Sequence, residues 1–118
     1  PNASKLIVTE SGSAFPDVQT AGRVPDQQRR AYLQAALGQV LRARREGVDV
    51  NGYFAWTLTD NFEWAEGYGP RFGLIHVDYE TQQRTVKDSG LWYGEFLRGE
   101  TITSDLSETS GLLFKQPL

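Results

Sequence analysis

The fold is decided by the segment Leu6-Ile7-Val8-Thr9-Glu10-Ser11-Gly12, close to the start of the chain. Its three consecutive apolar residues predict a short buried strand, and the Ser/Gly cluster behind them predicts the end of that strand. Residues 14–25 contain two prolines and a glycine and therefore predict a loop. Asp26 directly follows that loop and is placed to cap the N-terminus of a helix.

The segment from residue 27 to 46 predicts an amphipathic helix. It is rich in Ala, Leu, Gln and Arg, which are good helix formers. Apolar residues recur at helical spacing and predict one buried face: Leu33, Ala36, Leu37, Val40 and Leu41. Basic residues in the last turn, followed by Gly47, predict the end of the helix. Arg42, Arg44 and Arg45 predict a solvated face and not a nucleic-acid surface, because the aromatic interleaving typical of such surfaces is missing.

A second strand and a second helix are predicted further along. Residues 52–57 are apolar on both faces, which is typical of a parallel strand covered on both sides. An aromatic-rich loop is predicted at 60–71, a β-like run at 72–79 and a polar turn at 80–85. Ser89 is placed to cap a last helix, whose predicted buried face consists of Leu91, Trp92, Phe96 and Leu97. Residues 99–118 predict a tail that is irregular unless it docks on another part of the protein.

The order strand, helix, strand, helix is that of an α/β protein, with either a parallel sheet or a barrel. Two such units are too few for a complete fold. A (β/α)₈ barrel takes roughly 250 residues, whereas this chain has 118. Two parallel strands alone would leave both faces and both edges of the sheet open.

Composition excludes several classes of function. The chain has no cysteine, which excludes a disulfide framework, a thiolate metal site and a cysteine nucleophile. A single histidine predicts no metal site, and nothing in the sequence predicts a cofactor. The net charge of -3 favours neither nucleic acid nor an anionic membrane as a partner. No apolar run reaches the roughly 18 residues of a transmembrane helix. No signal peptide is visible at the first residues, so a cytoplasmic location is expected.

Glu10 is the first candidate for chemistry, because it comes at the C-terminal end of the first predicted strand. In a barrel, that end of the strands carries the catalytic residues. A carboxylate between Thr9 and Ser11 is set up there to act as a nucleophile or a base. Position alone favours the alternative, which is a solvated or capping carboxylate.

The second candidate is the segment Trp56-Thr57-Leu58-Thr59-Asp60-Asn61-Phe62-Glu63-Trp64, which also begins at the end of a predicted strand. It combines indole rings with carboxylate, amide and hydroxyl groups. A sugar requires that combination, because one face of its ring is apolar while its hydroxyls form hydrogen bonds. The alternative is structural: Trp56 and Phe62 would lie in the core, and Glu63 would pair with an arginine such as Arg71. The residues alone leave the two interpretations open.

Four motifs, in the same order along the chain, resemble glycoside hydrolase family 1. The segment Val8-Thr9-Glu10-Ser11-Gly12 resembles the family's T-E-N-G nucleophile motif. Residues 52–64 and 71–79 resemble the next two signatures of the family. The start of the family's last barrel helix is matched by Arg84, Lys87, Ser89, Trp92 and Tyr93. The resemblance covers residues 6 to about 98 and does not cover the tail.

The resemblance implies about the last two βα units of a TIM (β/α)₈ barrel, over residues 1–98, with a tail over residues 99–118. It also implies a retaining β-glycosidase that works by double displacement, with Glu10 as the nucleophile. Trp56 would be a stacking platform for the sugar, and Phe72 would close the apolar side of the pocket. Glu63 would accept hydrogen bonds from two hydroxyls at the far end of the glycone, and Trp64 would donate to one of them.

Two further expectations follow from the resemblance. Family members that cleave 6-phosphoglycosides have Ser at the position of Glu63, and a carboxylate there would repel a phosphate. Non-phosphorylated β-glucosides and related β-glycosides are therefore the implied substrates. His76 lies in what the family implies is a structural strand, so it is expected to be a satisfied structural residue.

The chain departs from the family's pattern in two places. Ser11 stands where the family usually has Asn, which implies a modest change in the loop. The second carboxylate, which acts as acid/base about 5 to 5.5 Å from the nucleophile, comes in the family from an upstream T-x-N-E-P motif, and this chain has no such motif. The expected partner is therefore the rest of the barrel. Two alternatives remain: a non-catalytic sugar-binding fragment, and a partner chain that completes a split barrel.

Overall fold

The computed structural model describes residues 4–100. It contains one parallel pair of strands, one short antiparallel pair and two helices. In chain order, the elements are β1 (Leu6–Ser11), α1 (Gln27–Arg45), β2 (Val50–Ala55), a single 3-10 turn (Trp64–Glu66), β3 (Ile75–Val77), β4 (Arg84–Val86) and α2 (Asp88–Arg98). The predicted tail at 99–118 lies, apart from its first two residues, outside the described part of the chain.

The strands β1 and β2 pair in parallel and are connected by α1, which confirms the predicted strand-helix-strand unit. Leu6 pairs with Val50 at the beginning of the sheet and Ser11 pairs with Ala55 at its end. The second strand lies two residues earlier than predicted, because the amide of Thr57 donates to the carbonyl of Phe72, 3.1 Å away, and not to β1. The chain therefore leaves the sheet directly after Trp56.

The buried face of α1 agrees with the predicted stripe. Leu33, Leu37 and Leu41 are buried at intervals of four residues, and Arg29 extends the same line by one turn. Leu33 and Leu37 form a core cluster with Leu74 and Trp92. The helix α1 therefore packs against α2 and against the residue that precedes β3. Burial of each of these large side chains stabilises the fold by about 1.5–3 kcal/mol.

Asp26 stands at the N-terminal boundary of α1, as predicted, but its side chain does not cap the helix. Its carboxylate accepts hydrogen bonds from Arg29 and from both the hydroxyl and the amide of Ser89. The prediction that Ser89 caps the last helix was also wrong. That helix begins one residue earlier, at Asp88, and Ser89 uses its hydroxyl to hold α2 against the start of α1.

The second half of the chain corrects two further predictions. Residues 84–86, assigned mainly to a polar turn, form β4, which pairs antiparallel with β3. The buried face of α2 is formed by Ser89 and Trp92, with Phe96 partly buried next to Trp92. Leu91 and Leu97 were predicted to be buried but are 54% and 44% exposed. Their positions fall beside the line from residue 89 to 92 to 96, which faces the core.

The β1–β2 sheet is open, as expected for two strands. Apolar side chains of both strands face solvent, among them Ile7 and Phe54, which are 55% and 61% exposed. Within residues 4–100, no third strand pairs with β1 or β2. The described segment also contains no helix that is long and apolar enough to cross a membrane.

Candidate functional site

Glu10 lies one residue before the end of β1, with its side chain exposed. The next residue, Ser11, pairs with Ala55 of β2, and its carbonyl accepts a hydrogen bond from the amide of Trp56 at 2.9 Å. Because the two strands are parallel, their C-terminal ends lie at the same edge of the sheet. The structure therefore brings Glu10 and Trp56, which are 46 positions apart in the numbering of the chain, to one edge.

The residue after Glu10 is held by two tyrosines. The hydroxyl of Ser11 lies between two phenol groups, 3.0 Å from that of Tyr32 and 2.9 Å from that of Tyr53. Ser11 therefore faces α1, which carries Tyr32. Between Val8 and Ser11 the register with β2 shifts by one residue, so Glu10 lies in a local irregularity of the strand with its side chain exposed. Burial raises the pKa of Tyr53, against the smaller opposing effect of its hydrogen bond to Ser11.

Gly12 explains how closely the two strand ends approach each other. A side-chain carbon at this position would overlap the carbonyl oxygen of Trp56. Only glycine allows this contact without movement of the backbone. The Ser/Gly cluster that ends β1 therefore also allows Trp56 to lie close to the end of that strand, which carries Glu10.

Phe72 lies at the same edge of the sheet, where a backbone hydrogen bond holds it. Its carbonyl accepts a hydrogen bond from Thr57, and the carbonyl of Thr57 in turn accepts one from Leu74 at 2.9 Å. The peptide bond between Trp56 and Thr57 is cis. The two backbone hydrogen bonds of Thr57 join the chain before and after the aromatic loop (residues 61–70) and bring Trp56 and Phe72 to the same edge of the sheet.

Glu63 and Trp64 lie on the loop that leaves this edge. Glu63 is half-buried and directly precedes the 3-10 turn, where its amide donates to the carbonyl of Gly67 at 2.7 Å. Trp64 is 80% exposed. Within the described residues, no hydrogen bond joins either side chain to Glu10 or Trp56. The structure thus groups Glu10, Trp56 and Phe72 through backbone hydrogen bonds that involve their neighbours Ser11 and Thr57. It adds Glu63 and Trp64 only through their loop.

Two parts of the structural alternative for this segment are wrong, while its third residue, Trp56, is half-buried. Phe62 is more than half exposed and is not part of the core. Arg71 forms its salt bridge with Asp60, at 2.5 Å, and not with Glu63. The carboxylate of Glu63 has no salt-bridge partner in the part of the chain that the structure describes.

Sequence reasoning missed a set of buried ion pairs, called here the buried charge cluster. Its three carboxylates and three cations are Asp17, Asp26, Asp60, Arg29, Arg71 and Lys87. The equal numbers leave the cluster formally neutral, which is the condition under which charges can be buried. The cluster connects the loop after β1, the first turn of α1, the aromatic loop and the start of α2.

Lys87 occupies the centre of the buried charge cluster and is fully buried. Its ammonium nitrogen lies 2.5 Å from a carboxylate oxygen of Asp17 and 2.8 Å from one of Asp60. Burial by itself would raise the pKa of Asp60, but Lys87 and Arg71 outweigh it, so the pKa lies below the usual range. Asp60 is therefore held in its charged form.

Arg29 is the second buried cation of the cluster. It binds Asp17 at 2.8 Å and Asp26 at 2.6 Å, and it donates to the carbonyl of Arg71 at 2.6 Å. Burial lowers its pKa, but the two carboxylates outweigh that effect and raise it. One signal in the sequence pointed to this residue, because Arg29 lies on the buried line of residues 29, 33, 37 and 41. No comparable signal marked Lys87.

His76 is buried in β3, in agreement with a structural role. The expectation that it is satisfied was wrong for one atom, since Nδ1 has no hydrogen-bond partner among residues 4–100. Burial, together with the nearby charge of Arg71, lowers the pKa of His76. The described residues contain no group of three or more His, Asp or Glu side chains that could hold a metal ion.

Comparison with known proteins connects this geometry to a family. The model of glycosyl hydrolase family 1 matches residues 2–101. The chain belongs to glycosyl hydrolase family 1. It is 54% identical over 102 residues to beta-glucosidase A of Thermotoga maritima and 52% identical over 95 residues to a beta-glucosidase of Agrobacterium sp.. These matches cover 86% and 80% of this chain.

Solved structures of family 1 agree with the sequence comparison. The family 1 β-glucosidase of Thermotoga maritima in complex with isofagomine lactam superposes with a TM-score of 0.80 at 52% identity and covers 83% of this chain. The chain spans only 23% of that structure and of the matched beta-glucosidase A. Family 1 enzymes are TIM barrels, and the α/β elements seen here agree with part of such a barrel.

Proposed function

We propose that this chain is the C-terminal portion, about the last two βα units, of a retaining β-glycosidase barrel, with Glu10 as the catalytic nucleophile. The observation that carries the proposal is the placement of Glu10 at the C-terminal end of β1, beside the end of β2 and Trp56. In (β/α)₈ barrels, the active site lies at that end of the strands. The membership in family 1 and the similarity to beta-glucosidases support hydrolysis of β-glucosides.

The proposed reaction is a double displacement. The carboxylate of Glu10 attacks the anomeric carbon, the bond to the leaving oxygen breaks, and an acid protonates that oxygen. Water then attacks the same carbon, gives its proton to the group that acted as acid, and the ester to Glu10 breaks. Glu10 is suited to the nucleophilic step because its side chain is exposed and it lies at the C-terminal end of β1.

The acid/base carboxylate is proposed to come from the rest of the barrel. A retaining enzyme places it about 5 to 5.5 Å from the nucleophile. Neither Glu66 nor Glu80 follows a strand end next to Glu10: Glu66 lies in the 3-10 turn, and Glu80 lies in the turn between β3 and β4. The open edges of the β1–β2 sheet and its exposed apolar faces agree with coverage by further strands and helices.

The sugar contacts are proposed to be Trp56, Glu63, Trp64 and Phe72. Trp64 leaves nearly its entire indole available, and Glu63 has no competing cation in the described part of the chain. A carboxylate with no cation beside it would repel a phosphate group. We therefore propose non-phosphorylated β-glucosides and related β-glycosides as substrates.

The proposal is tested by separating this chain from the remainder of the barrel. The purified 13.2 kDa chain is assayed on an aryl β-glucoside alone, and then after co-expression with the N-terminal portion of the protein. We expect hydrolysis only from the assembled protein, because the isolated chain lacks the acid/base residue. Hydrolysis by the isolated chain, with its intact mass confirmed, would contradict the proposed mechanism.

A second candidate function is a sugar-binding fragment without catalysis. It is favoured by one observation, which is that Trp56, Glu63 and Trp64 all belong to this chain. Calorimetric titration of the isolated chain with a methyl β-glucoside separates the two candidates. Binding without hydrolysis, in both the isolated and the assembled protein, would favour the fragment that only binds sugar.

A further inference from the structure

The aromatic loop, defined here as residues 61–70, is closed at its base by a buried salt bridge. Asp60 directly precedes the loop and Arg71 directly follows it. The guanidinium Nη1 of Arg71 lies 2.5 Å from Oδ2 of Asp60, which is buried. The two residues that limit the loop therefore hold its ends together, and the loop between them carries Glu63 and Trp64.

The carboxylate of Asp60 has little freedom to move. It accepts hydrogen bonds from Arg71, from Lys87 at 2.8 Å, and from the amides of Gly73 at 3.0 Å and Val77 at 3.3 Å. Gly73 packs so closely that a side-chain carbon there would overlap the backbone nitrogen of Asp60. Four hydrogen-bond donors and the close packing of Gly73 fix both carboxylate oxygens of Asp60. The start of the aromatic loop is fixed with them.

Arg71 connects the same salt bridge to the side of the loop. Besides Asp60, it donates to the carbonyl of Val77 at 2.9 Å, and its guanidinium lies 4.6 Å from the ring centre of Tyr79. Tyr79 packs against Tyr68 of the loop at 4.7 Å between ring centres, and Tyr68 packs against Phe62 at 5.3 Å. The contacts of the aromatic loop thus converge on Asp60 and Arg71.

The tip of the loop has fewer contacts of its own. Its backbone is closed by the hydrogen bonds from Glu63 to Gly67 and from Gly67 to Trp64, at 2.7 and 3.1 Å. Among the described residues, no hydrogen bond or salt bridge holds the side chains of Glu63 and Trp64. Their positions relative to the strand ends therefore depend on the base of the loop.

We propose that Asp60 is a positioning residue that, through its salt bridges with Arg71 and Lys87, sets the place of Glu63 and Trp64 against the far end of the glycone. This inference rests on the proposed function. Asp60 does not touch the sugar in this account. It acts by holding the loop, so its loss shifts Glu63 without removing the carboxylate. A misplacement of about 1 Å can reduce catalysis up to roughly 10²-fold.

The experiment compares two substrates in the assembled protein. An aryl β-glucoside carries the hydroxymethyl group at the far end of the ring, and the matching aryl β-xyloside lacks it. The ratio of their kcat/KM values is independent of how much protein is folded, because both substrates report on the same active molecules. We expect Asp60→Asn to reduce this ratio about tenfold, since the loop no longer presents Glu63 correctly. Glu63→Gln should shift the ratio in the same direction.

Asp26→Asn is the matched control, because Asp26 is also a buried carboxylate of the charge cluster but binds Arg29 and Ser89 and not the base of the loop. It should reduce the yield of folded protein and leave the ratio unchanged. If Asp60→Asn does not fold, the variant Arg71→Lys tests the positioning role instead. Lysine keeps the positive charge but loses the contact between the guanidinium and the ring of Tyr79. We expect a smaller fall in the ratio for this variant.

The outcomes separate the two proposals. An unchanged ratio in Asp60→Asn, or in Arg71→Lys where that variant decides, overturns the positioning role while leaving the glycosidase intact. A fall of the same size in Asp26→Asn also overturns it, because any damage to the cluster would then have the same effect. If the unmodified assembled protein hydrolyses neither substrate, the proposed function itself fails.

Discussion

The amide of Trp56 donates a hydrogen bond to the carbonyl of Ser11 at 2.9 Å, and this single contact joins the ends of two strands that are separated by a 19-residue helix. It is the last pairing of the β1–β2 sheet. Glu10 and Trp56, which are proposed for the reaction and for sugar stacking, therefore lie at the same edge of the sheet. The distance between the strand ends is therefore a property that mutation can test.

Gly12→Ala should disturb this edge, because the new methyl group would overlap the carbonyl oxygen of Trp56. Overpacking of this kind typically costs about 1–3 kcal/mol. We expect a lower midpoint of urea-induced unfolding and a loss of activity in the assembled protein. Gly38→Ala in α1 is the control, because nothing lies within 4 Å of the added carbon. There the helix should gain roughly 0.5–1 kcal/mol. Equal midpoints for the two variants would show that the strand ends can separate freely.

Glu10→Gln should remove nearly all turnover in the assembled protein. The amide has the same shape as the carboxylate but cannot form the covalent ester, and we expect kcat to fall by roughly 10³-fold or more. Binding of a glucose-configured inhibitor should survive, as measured by calorimetry. Glu80→Gln in the turn after β3 is the control and should keep normal kcat. Near-normal turnover in Glu10→Gln would exclude Glu10 as the nucleophile.

The sequence was sufficient to predict those helices and strands whose apolar residues form a clear pattern. The helical stripe of Leu33, Leu37 and Leu41 predicted α1, because burial of one face imposes the spacing of the side chains. The apolar residues before Glu10 predicted β1 through their composition and the Ser/Gly cluster that follows them. The three-residue strand β4 was missed, since a run so short carries no period. Leu91 and Leu97 were misassigned because apolar character alone does not say which side of a helix faces the core.

The candidate site divides in the same way. Glu10 and Trp56 were each predicted to lie at the end of a strand, and the parallel pairing of β1 and β2 brings both strand ends to one edge of the sheet. No comparable sequence pattern predicts the buried charge cluster. Lys87 and Asp60 are 27 positions apart, and only the tertiary fold brings their charges together. The position of Arg29 on the otherwise apolar stripe of α1 could have indicated its burial, although no prediction was made for it.

Lys87→Met should be strongly destabilising. The ammonium group is fully buried between Asp17 and Asp60, and its removal leaves two buried carboxylates with one cation fewer. Breaking a buried ion pair from one side costs about 3–5 kcal/mol. We expect a large fall in the midpoint of urea-induced unfolding. Lys5→Met is the matched control, since Lys5 is exposed and should change stability by no more than about 0.5 kcal/mol. If both variants unfold at the same midpoint, the cluster does not stabilise the fold.

Asp60 should make the stability of the protein sensitive to acid. Burial raises its pKa, but Lys87 and Arg71 lower it more, so the pKa in the folded state lies below the value of about 3.9 expected in the unfolded chain. A group of this kind contributes stability that is fully present above the unfolded pKa and is lost as the pH falls through the folded pKa. The midpoint of urea-induced unfolding should therefore fall between about pH 5 and pH 2, and Asp60→Asn should flatten that fall. The exposed Asp49→Asn serves as control and should keep the slope of the unmodified protein. Parallel curves for Asp60→Asn and the unmodified protein would show that the folded state does not hold Asp60 in its charged form.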